Sequence, residues 1–188
     1  NYKDCLSENR FDAEYWQPKY EEIETKIKNY KNGYKTLQDF ITDYSTGYAY
    51  KSESFTDKGI PLIRINNITS GELNLSNATF LPDEHLYLSK KDIAKEDDIL
   101  LSMSGTIGST CKVPKGILAC VNQRIMRITS KGYDPDVLVL ILNSIICNEQ
   151  LKRVGTGGAQ TNISSNEIKK IKIPLLTKEK QMEIAKII

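Results

Sequence analysis

The sequence has a single histidine and four cysteines, and it contains no long hydrophobic run. One histidine, His85, cannot by itself complete a metal site. The cysteines lie far apart, without the paired spacing of structural zinc, so we interpret Cys120 and Cys147 as core residues of a reduced, intracellular protein. No segment approaches the roughly 18 apolar residues that span a bilayer. We therefore predict no metal, no cofactor and no membrane span.

Recognisable catalytic motifs are also missing. A phosphate-binding loop would end in Gly-Lys-Ser/Thr, which the Gly105–Gly108 segment does not. An adenine methylase would need an Asn/Asp-Pro-Pro-aromatic motif, whereas Tyr133-Asp-Pro-Asp136 is typical of a helix cap. Serine or cysteine nucleophiles lack a usable histidine partner. A metal nuclease built on Asp136, Glu167 and Lys169 remains an alternative.

Composition indicates one globular domain with an uneven charge distribution. The 188 residues are 39% hydrophobic and 27% charged, which suits one solid core. Residues 1–98 carry 13 basic and 18 acidic side chains, whereas residues 99–188 carry 13 basic and 6 acidic ones. A basic half of this kind favours a polyanionic partner. The polar start predicts no signal peptide, and the missing initiator Met and the helical pattern at Ile188 predict an excised segment.

The first recognisable element is a helix from Pro18 to about Gly33. Proline suits a first helical turn, acidic residues favour its start, and lysines favour its end. Its apolar side has alternate spacings of four and three, in Trp16, Tyr20, Ile23, Ile27, Tyr30 and Tyr34. This pattern fits a helix packed on its own domain better than a coiled-coil seam to another chain, because the repeat is short.

Short β-branched runs follow, separated by turn residues. The predicted strands are Leu62–Ile65, Leu73–Leu75, Ile99–Ser102, Thr110–Val113, Ile117–Val121, Ile125–Ile128 and Ile171–Pro174. Asp134 is predicted to cap a buried helix from Val137 to about Val154, and Ser164 with Glu167 forms a capping box. A last helix begins near Thr177. The pattern predicts an α+β fold with a twisted, mainly antiparallel sheet.

Three polar loops carry the functional signal. Gly155–Ile163 combines glycines with Gln160, Thr161 and Asn162, while Met103–Ser109 and Val121–Ile125 are similar in character. Glycine allows backbone to approach another surface closely. Asparagine, glutamine and arginine can form paired hydrogen bonds with adenine or guanine in the major groove. Any one of these loops could be an ordinary turn, but their recurrence favours recognition of DNA.

The ordered segments resemble the target recognition domain of Type I restriction-modification specificity subunits, or the equivalent domain fused to an N6-adenine methylase. The matching segments cover most of the chain: Arg10–Tyr20, Gly59–Ile68, Asp97–Gly108, Val121–Arg124, Gly155–Ile163 and Ile171–Leu176 leading to Gln181 and Ile184. Each segment is weak alone, and their shared order makes the resemblance specific.

The resemblance implies a non-catalytic module that recognises double-stranded DNA for a partner methyltransferase, and often for a restriction subunit, in a bacterial or archaeal cytoplasm. It also implies a division into an N-terminal helical segment (1–36), a recognition domain (37–176) and the start of a connecting helix (177–188). Family subunits carry two such domains. This chain with one is therefore expected to be a half-subunit that dimerises through terminal helices, a fragment of a two-domain subunit, or the tail of a fused enzyme.

We expect two classes of DNA contact, lysines on phosphates and uncharged or arginine side chains near bases. The candidate DNA-binding residues are Arg64, Asn66, Asn67, Ser104, Thr106, Asn122, Gln123, Arg124, Lys152, Thr156, Gln160, Thr161, Asn162, Lys169 and Lys170. Two alternatives stay open: an enzyme with its own nuclease or methylase activity, and a protein interaction module that uses the Trp16–Tyr34 side and the last helix without DNA.

Overall fold

The computed structural model describes residues 11–88, 91–155 and 162–188. Its strands are β1 (Tyr34–Thr36), β2 (Ile41–Thr46), β3 (Ile60–Ile63), β4 (Thr79–Leu81), β5 (Ile93–Ala94), β6 (Ile99–Ser102), β7 (Thr110–Lys112), β8 (Ala119–Val121), β9 (Ile125–Ser130) and β10 (Lys172–Pro174). Its α-helices are α1 (Pro18–Lys28), α2 (His85–Leu88), α3 (Pro135–Leu142), α4 (Ile145–Gly155), α5 (Ser165–Lys169) and α6 (Lys178–Ala185).

The strands form three sheets. The first has the order β2-β9-β6-β7 and is antiparallel throughout, and the second has the order β4-β3-β8-β5 with one parallel pair, β3 and β8. Strands β1 and β10 form a separate antiparallel pair. The predicted α+β class is confirmed, although the strands form three sheets instead of one. The chain leaves the second sheet after β8 and enters the first at β9.

The first sheet is covered on both faces, which gives the fold its layers. Leu100 belongs to an apolar cluster shared with the second sheet, whereas Ile99 and Leu101 pack with the cluster that contains α3 and α4. Alternate residues of a strand point to opposite faces. Every residue of β6 is therefore buried, and the strand reads as a continuous apolar run.

The long helix predicted after Asp134 is two helices. Asp134 caps α3 as expected, since its carboxylate accepts hydrogen bonds from the amides of Asp136 and Val137. The break follows Leu142, where the Asn143 side chain donates to the Val139 carbonyl and exchanges hydrogen bonds with the main chain of Thr110 in β7. The helix α3 therefore ends where the Asn143 side chain forms hydrogen bonds with β7.

Strand predictions were partly wrong. The segment 73–75 is not a strand, and only Leu73 forms an isolated bridge, with Ile68. Strands β1, β2, β4 and β5 were not predicted from the sequence. The predicted capping box at Ser164 and the helix start at Thr177 are confirmed. Among the described residues, no helix has the length and apolarity needed to cross a membrane.

Helix α1 packs against its own domain, which favours the intrachain interpretation of its apolar side. Tyr20 and Ile27 are 3% and 2% exposed, and the helix contacts α4 and β10. Glu24 connects the three elements, because its carboxylate accepts hydrogen bonds from Arg153 of α4, at 3.2 Å, and from Lys172 of β10. Burial opposes ionisation of Glu24, but bonds from Lys172 and Lys28 prevail and lower its pKa to about 2.

This lowered pKa predicts a stability change in acid. A group with a depressed folded-state pKa stabilises the fold above its ordinary pKa of 4.5 and loses that contribution as the pH falls toward about 2. Glu24→Gln should reduce the free energy of unfolding near neutral pH and flatten its decline between these values, as measured by urea denaturation across a pH series. The exposed neighbour Glu22 supplies the control, since Glu22→Gln should leave the pH profile unchanged.

Candidate nucleic-acid interface

Distant polar segments meet on one face of the molecule. Two adjoining clefts, of about 610 and 370 Å³, share Gln123 and Arg124 as common walls. We use the term polar surface for eight of the residues that line these clefts: Arg64, Asn66, Gly105, Thr106, Asn122, Gln123, Arg124 and Asn162. These residues come from four separate stretches of sequence, so the tertiary structure assembles the surface.

The centre of the polar surface is the three-residue crossing between β8 and β9. The amide of Asn122 donates to Ile63 of β3, and the amide of Gln123 donates to Tyr48, both at 2.9 Å. The carbonyl of Arg124 accepts from Met103 at 2.8 Å. The main chain of the crossing is therefore fixed on each side, while the side chains of Gln123 and Arg124 are exposed.

Gly47 permits this arrangement. A Cβ atom at Gly47 would lie 2.2 Å from the carbonyl oxygen of Asn122 and 2.3 Å from that of Val121. These are main-chain atoms, so no side-chain rotation relieves the overlap. The chain after β2 can approach the crossing this closely only with glycine at position 47.

Arg124 is held in an uncommon conformation. Its φ angle of 71° lies in the left-handed region, and its guanidinium donates to the Asn162 side chain at 2.6 Å. Asn162 is attached on the other side by an isolated bridge with Ser104. A left-handed arginine persists only where neighbouring contacts hold it, and such strain concentrates at functional positions.

Arg64 and Asn66 line the same cleft from the turn after β3. Arg64 is half-buried, and its Nε atom has no hydrogen-bond partner in the described part of the chain. Asn66 is exposed, and its side chain makes no hydrogen bond to any described residue. A buried guanidinium nitrogen without a partner costs free energy that an incoming acceptor would compensate.

Asn67 was predicted as a DNA contact, and the structure gives it a different role. It is 3% exposed, its oxygen accepts from the Arg64 amide at 2.9 Å, and its nitrogen donates to the Asn74 carbonyl at 3.0 Å. The prediction of a direct contact was wrong because the side chain is buried and used within the fold. It positions Arg64 instead.

The loop after β6 contributes one exposed side chain and one buried one. Thr106 is exposed, and its carbonyl accepts from the Ser102 hydroxyl. Ser104 is 7% exposed and reaches Asn162 through its main chain. A Cβ at Gly108 would lie 2.6 Å from the Asn148 side chain, so this glycine lets the loop lie close to α4.

The three predicted lysines do not share one surface. Lys169 donates to the hydroxyl of Tyr44 at 2.9 Å and lies 4.3 Å from its ring centre. Tyr44 and Thr46 point to the same side of β2, and Thr46 lines the smaller cleft. Lys169 therefore extends the polar surface along β2. Lys170 lines a different cleft with Glu24, and Lys152 pairs with Glu149 at 2.6 Å.

Three predicted contacts cannot be placed. Thr156, Gln160 and Thr161 of the glycine-rich loop lie outside the described residues. Conversely, sequence reasoning missed Tyr44, Thr46 and Tyr48, which lie along the edge of the polar surface. The cluster of tyrosines between positions 44 and 50 was the available signal, because exposed aromatic residues on a strand need an explanation.

Electrostatics of the polar surface favour an anionic ligand. Two arginines line the clefts, and no acidic residue is among their described lining residues. The side-chain amides of Asn122 and Gln123 form no hydrogen bond with any described residue, which leaves their donors and acceptors available. The surface can therefore attract a polyanion and form specific hydrogen bonds with it.

The nuclease alternative finds no assembled site. Asp136 pairs with Lys112 at 2.6 Å, and Glu167 caps α5 through the amide of Ser164 at 2.8 Å. Each carboxylate thus serves a local structural purpose. In the described ranges, no three His, Cys, Asp or Glu side chains are placed to hold a metal ion. Burial also raises the pKa of the Cys147 thiol to about 12, which makes it a poor nucleophile.

The chain matches a known protein family over most of its length. Residues 29–188 match the family model for the Type I restriction modification DNA specificity domain. The chain is 28% identical, over 154 residues, to the Type I restriction enzyme MjaVIII specificity subunit of Methanocaldococcus jannaschii, covering 77% of this chain and 36% of that protein.

Two solved structures share the fold. The Type I restriction-modification S subunit from M. genitalium superposes with a TM-score of 0.59 at 19% identity, over 85% of this chain and 38% of the other. The type IIG restriction endonuclease BpuSI gives a TM-score of 0.66 at 10% identity, over 99% of this chain and 30% of the other. The chain thus spans about a third of the length of each relative.

The MjaVIII relative is named a specificity subunit, which agrees with the resemblance to specificity subunits predicted from the sequence. The family model covers most of the chain, including all four stretches that form the polar surface. The protein therefore belongs to the Type I restriction modification DNA specificity domain family.

Proposed function

We propose that the chain is a target recognition module that binds a specific double-stranded DNA sequence through the polar surface. The observation that carries this proposal is the assembly of side-chain amides and two arginines around a main-chain crossing that hydrogen bonds hold in place, with no acidic residue among the described residues that line the clefts. Base reading needs hydrogen-bonding groups whose positions are set before binding. The family, whose description names DNA specificity, supports the same conclusion.

Base contacts are assigned to Gln123, Arg124, Asn66 and Arg64. An arginine fork suits guanine, and an asparagine or glutamine amide suits adenine, in the major groove. Arg124 uses one donor on Asn162 and keeps the others for the ligand. Lys169 is assigned to phosphate. Its ammonium group donates to Tyr44, which lies on the same side of β2 as Thr46, a residue that lines the smaller cleft.

The biological output is adenine-N6 methylation, together with restriction, carried out by partner subunits or a fused methylase. Flipping an adenine out of the duplex costs a few kcal/mol, and contacts between a separate recognition domain and the DNA groove can compensate this cost. We assign residues 37–176 to the recognition domain, 1–36 to an N-terminal helical segment and 177–188 to the start of a connecting helix. The terminal helices are the proposed route to a dimer or to the methylase, in the cytoplasm of a bacterium or archaeon.

The direct test is duplex binding by the purified chain across a salt series, with and without a methylase partner. We expect weak binding by the chain alone, a steep fall in affinity with salt, and sequence selectivity that increases with the methylase. Methyl transfer and cleavage are assayed in parallel on the chain alone. Activity in either assay, or affinity that does not respond to salt, would contradict a non-catalytic DNA-binding module.

A matched pair of lysine variants tests the phosphate assignment. Lys169→Ala should weaken binding to a similar extent on all duplexes and reduce the salt slope by about one unit, because one phosphate contact is lost. Lys170→Ala removes an equal charge from the adjacent position, which lines another cleft, and should change little. Equal effects of the two variants would indicate general charge rather than a defined contact.

Replacement of Gln123 tests base reading. Gln123→Ala should leave the thermal midpoint nearly unchanged, because the side chain is exposed. It should also remove about 1–3 kcal/mol of discrimination at one base pair. Selection from a randomised duplex library by the complex with its methylase measures this preference. Asn29→Ala, at an exposed amide beyond α1, is the control. An unaltered preference in Gln123→Ala would sink the assignment.

A further inference from the structure

A third cavity lies beside the polar surface and is separated from it by Tyr48. Its volume is about 460 Å³, and its walls include Tyr48, Tyr50, Lys51, Ser54, His85 and Asp92. The main chain of Tyr48 accepts a hydrogen bond from Gln123 at 2.9 Å, so one residue borders both sites. None of these six side chains is used in the proposed reading of DNA.

Asp92 gives the cavity its chemical character. The residue is only 7% exposed and lines the cavity, and no hydrogen bond or ion pair joins its carboxylate to a residue in the described part of the chain. Its oxygens are not among the fully enclosed polar atoms, so they keep some access to the cavity. Its position is fixed, because its main-chain carbonyl accepts from the Val121 amide at 2.8 Å. A carboxylate that is largely removed from water and has no partner in the protein is favoured by a counter-charge in the cavity.

Two tyrosine rings form a corner next to this carboxylate. The rings of Tyr48 and Tyr50 are 5.0 Å apart with an interplanar angle of 71°, and the His85 ring lies 5.7 Å from Tyr50. Aromatic faces carry partial negative charge and attract cations. Burial raises the pKa of Tyr50, so its ring remains a neutral phenol at physiological pH.

The remaining polar groups do not neutralise Asp92. Lys51 is exposed and forms no ion pair with Asp92 among the described contacts. The Nδ1 atom of His85 faces the Pro82 carbonyl at 3.2 Å, where it donates. The exposed carboxylates of Asp83 and Glu84 belong to the nearby turn and do not line the cavity. The cavity thus combines acceptors, π faces and an unpaired anion.

We infer that this cavity binds an organic cation, a primary ammonium or guanidinium group on an aliphatic chain, with Asp92 as counter-ion and the tyrosine rings as walls. A guanidinium or ammonium donates to a carboxylate and stacks on aromatic faces. The inference goes beyond the proposed function, since it does not require DNA. The cation is either a free polyamine or an arginine or lysine side chain of a partner polypeptide.

Agmatine, which carries both groups, is the probe. Titration of the folded chain, followed by NMR, should shift the amides of Asp92, Val121 and Tyr48, with Gly132 as a distant reference. N-butylurea at matched ionic strength is the neutral control and should not bind. Asp92→Asn should weaken agmatine binding at least about tenfold, since a charge-assisted bond is lost. Asp83→Asn, an exposed acid near the cavity, should retain it.

Loss of the fold is separated from loss of the site by two further measurements. Asp92→Asn should have an equal or higher thermal midpoint without ligand, because it removes an unpaired buried charge. The exposed Tyr48→Ala should fold and bind agmatine several-fold more weakly. Retained affinity in Asp92→Asn or equal binding of N-butylurea would overturn the inference. Guanosine, an uncharged ring compound, tests whether the cavity prefers flat rings to cations, and tighter binding of guanosine than of agmatine would also overturn it.

The source of the cation is decided by competition. Spermidine and a short arginine-containing peptide are each titrated against bound agmatine, at the same ionic strength. Displacement by spermidine at lower concentration supports a free polyamine, whereas tighter binding of the peptide supports a partner side chain. Failure of both to displace agmatine would contradict a cation site of this class. None of these outcomes depends on DNA binding, so they test the cavity separately from the polar surface.

Discussion

The fold depends on a short main-chain crossing between two sheets. The chain leaves the second sheet at Val121 and enters the first at Ile125, and its three intervening residues are fixed by hydrogen bonds to Ile63, Tyr48 and Met103. Gly47 allows the chain to close against this crossing. Because Val121 and Ile125, at the two ends of the crossing, are buried in the same apolar cluster, the constraint that joins the sheets also leaves Gln123 and Arg124 exposed.

Stability and the proposed recognition therefore use different groups of the same residues. In the crossing, the main-chain atoms form the hydrogen bonds that hold the two sheets together. The side chains of Asn122 and Gln123 remain available for hydrogen bonds with a ligand. Asn67 shows the opposite division, since its amide is used within the turn that holds Arg64. A recognition surface built this way can change its side chains, and hence its preferred ligand, with little effect on the packing beneath it.

Much of the candidate site was predictable from local sequence. Segments rich in amide, hydroxyl and glycine residues between apolar strands predict Asn66, Thr106, Gln123, Arg124 and Asn162 as candidates, and the fold brings these residues to the two adjoining clefts. The prediction was wrong for Asn67, because neighbouring asparagines look equivalent in a sequence and differ only in which one faces the interior. The separation of Lys169 from Lys170 likewise depends on how α5 packs, since adjacent helical residues point in different directions.

The sequence alone determined what is local: the caps at Asp134, Ser164 and Thr177, the α+β class and the family. These follow from short-range hydrogen bonds and from the order of motifs along the chain. Only the tertiary structure decided the division into three sheets, the break at Asn143 and the burial of Arg127 beside Asp98 at 3.5 Å. Each of these depends on a partner far away in sequence, and a pattern of residue types carries no information about which distant group will complete a hydrogen bond or an ion pair.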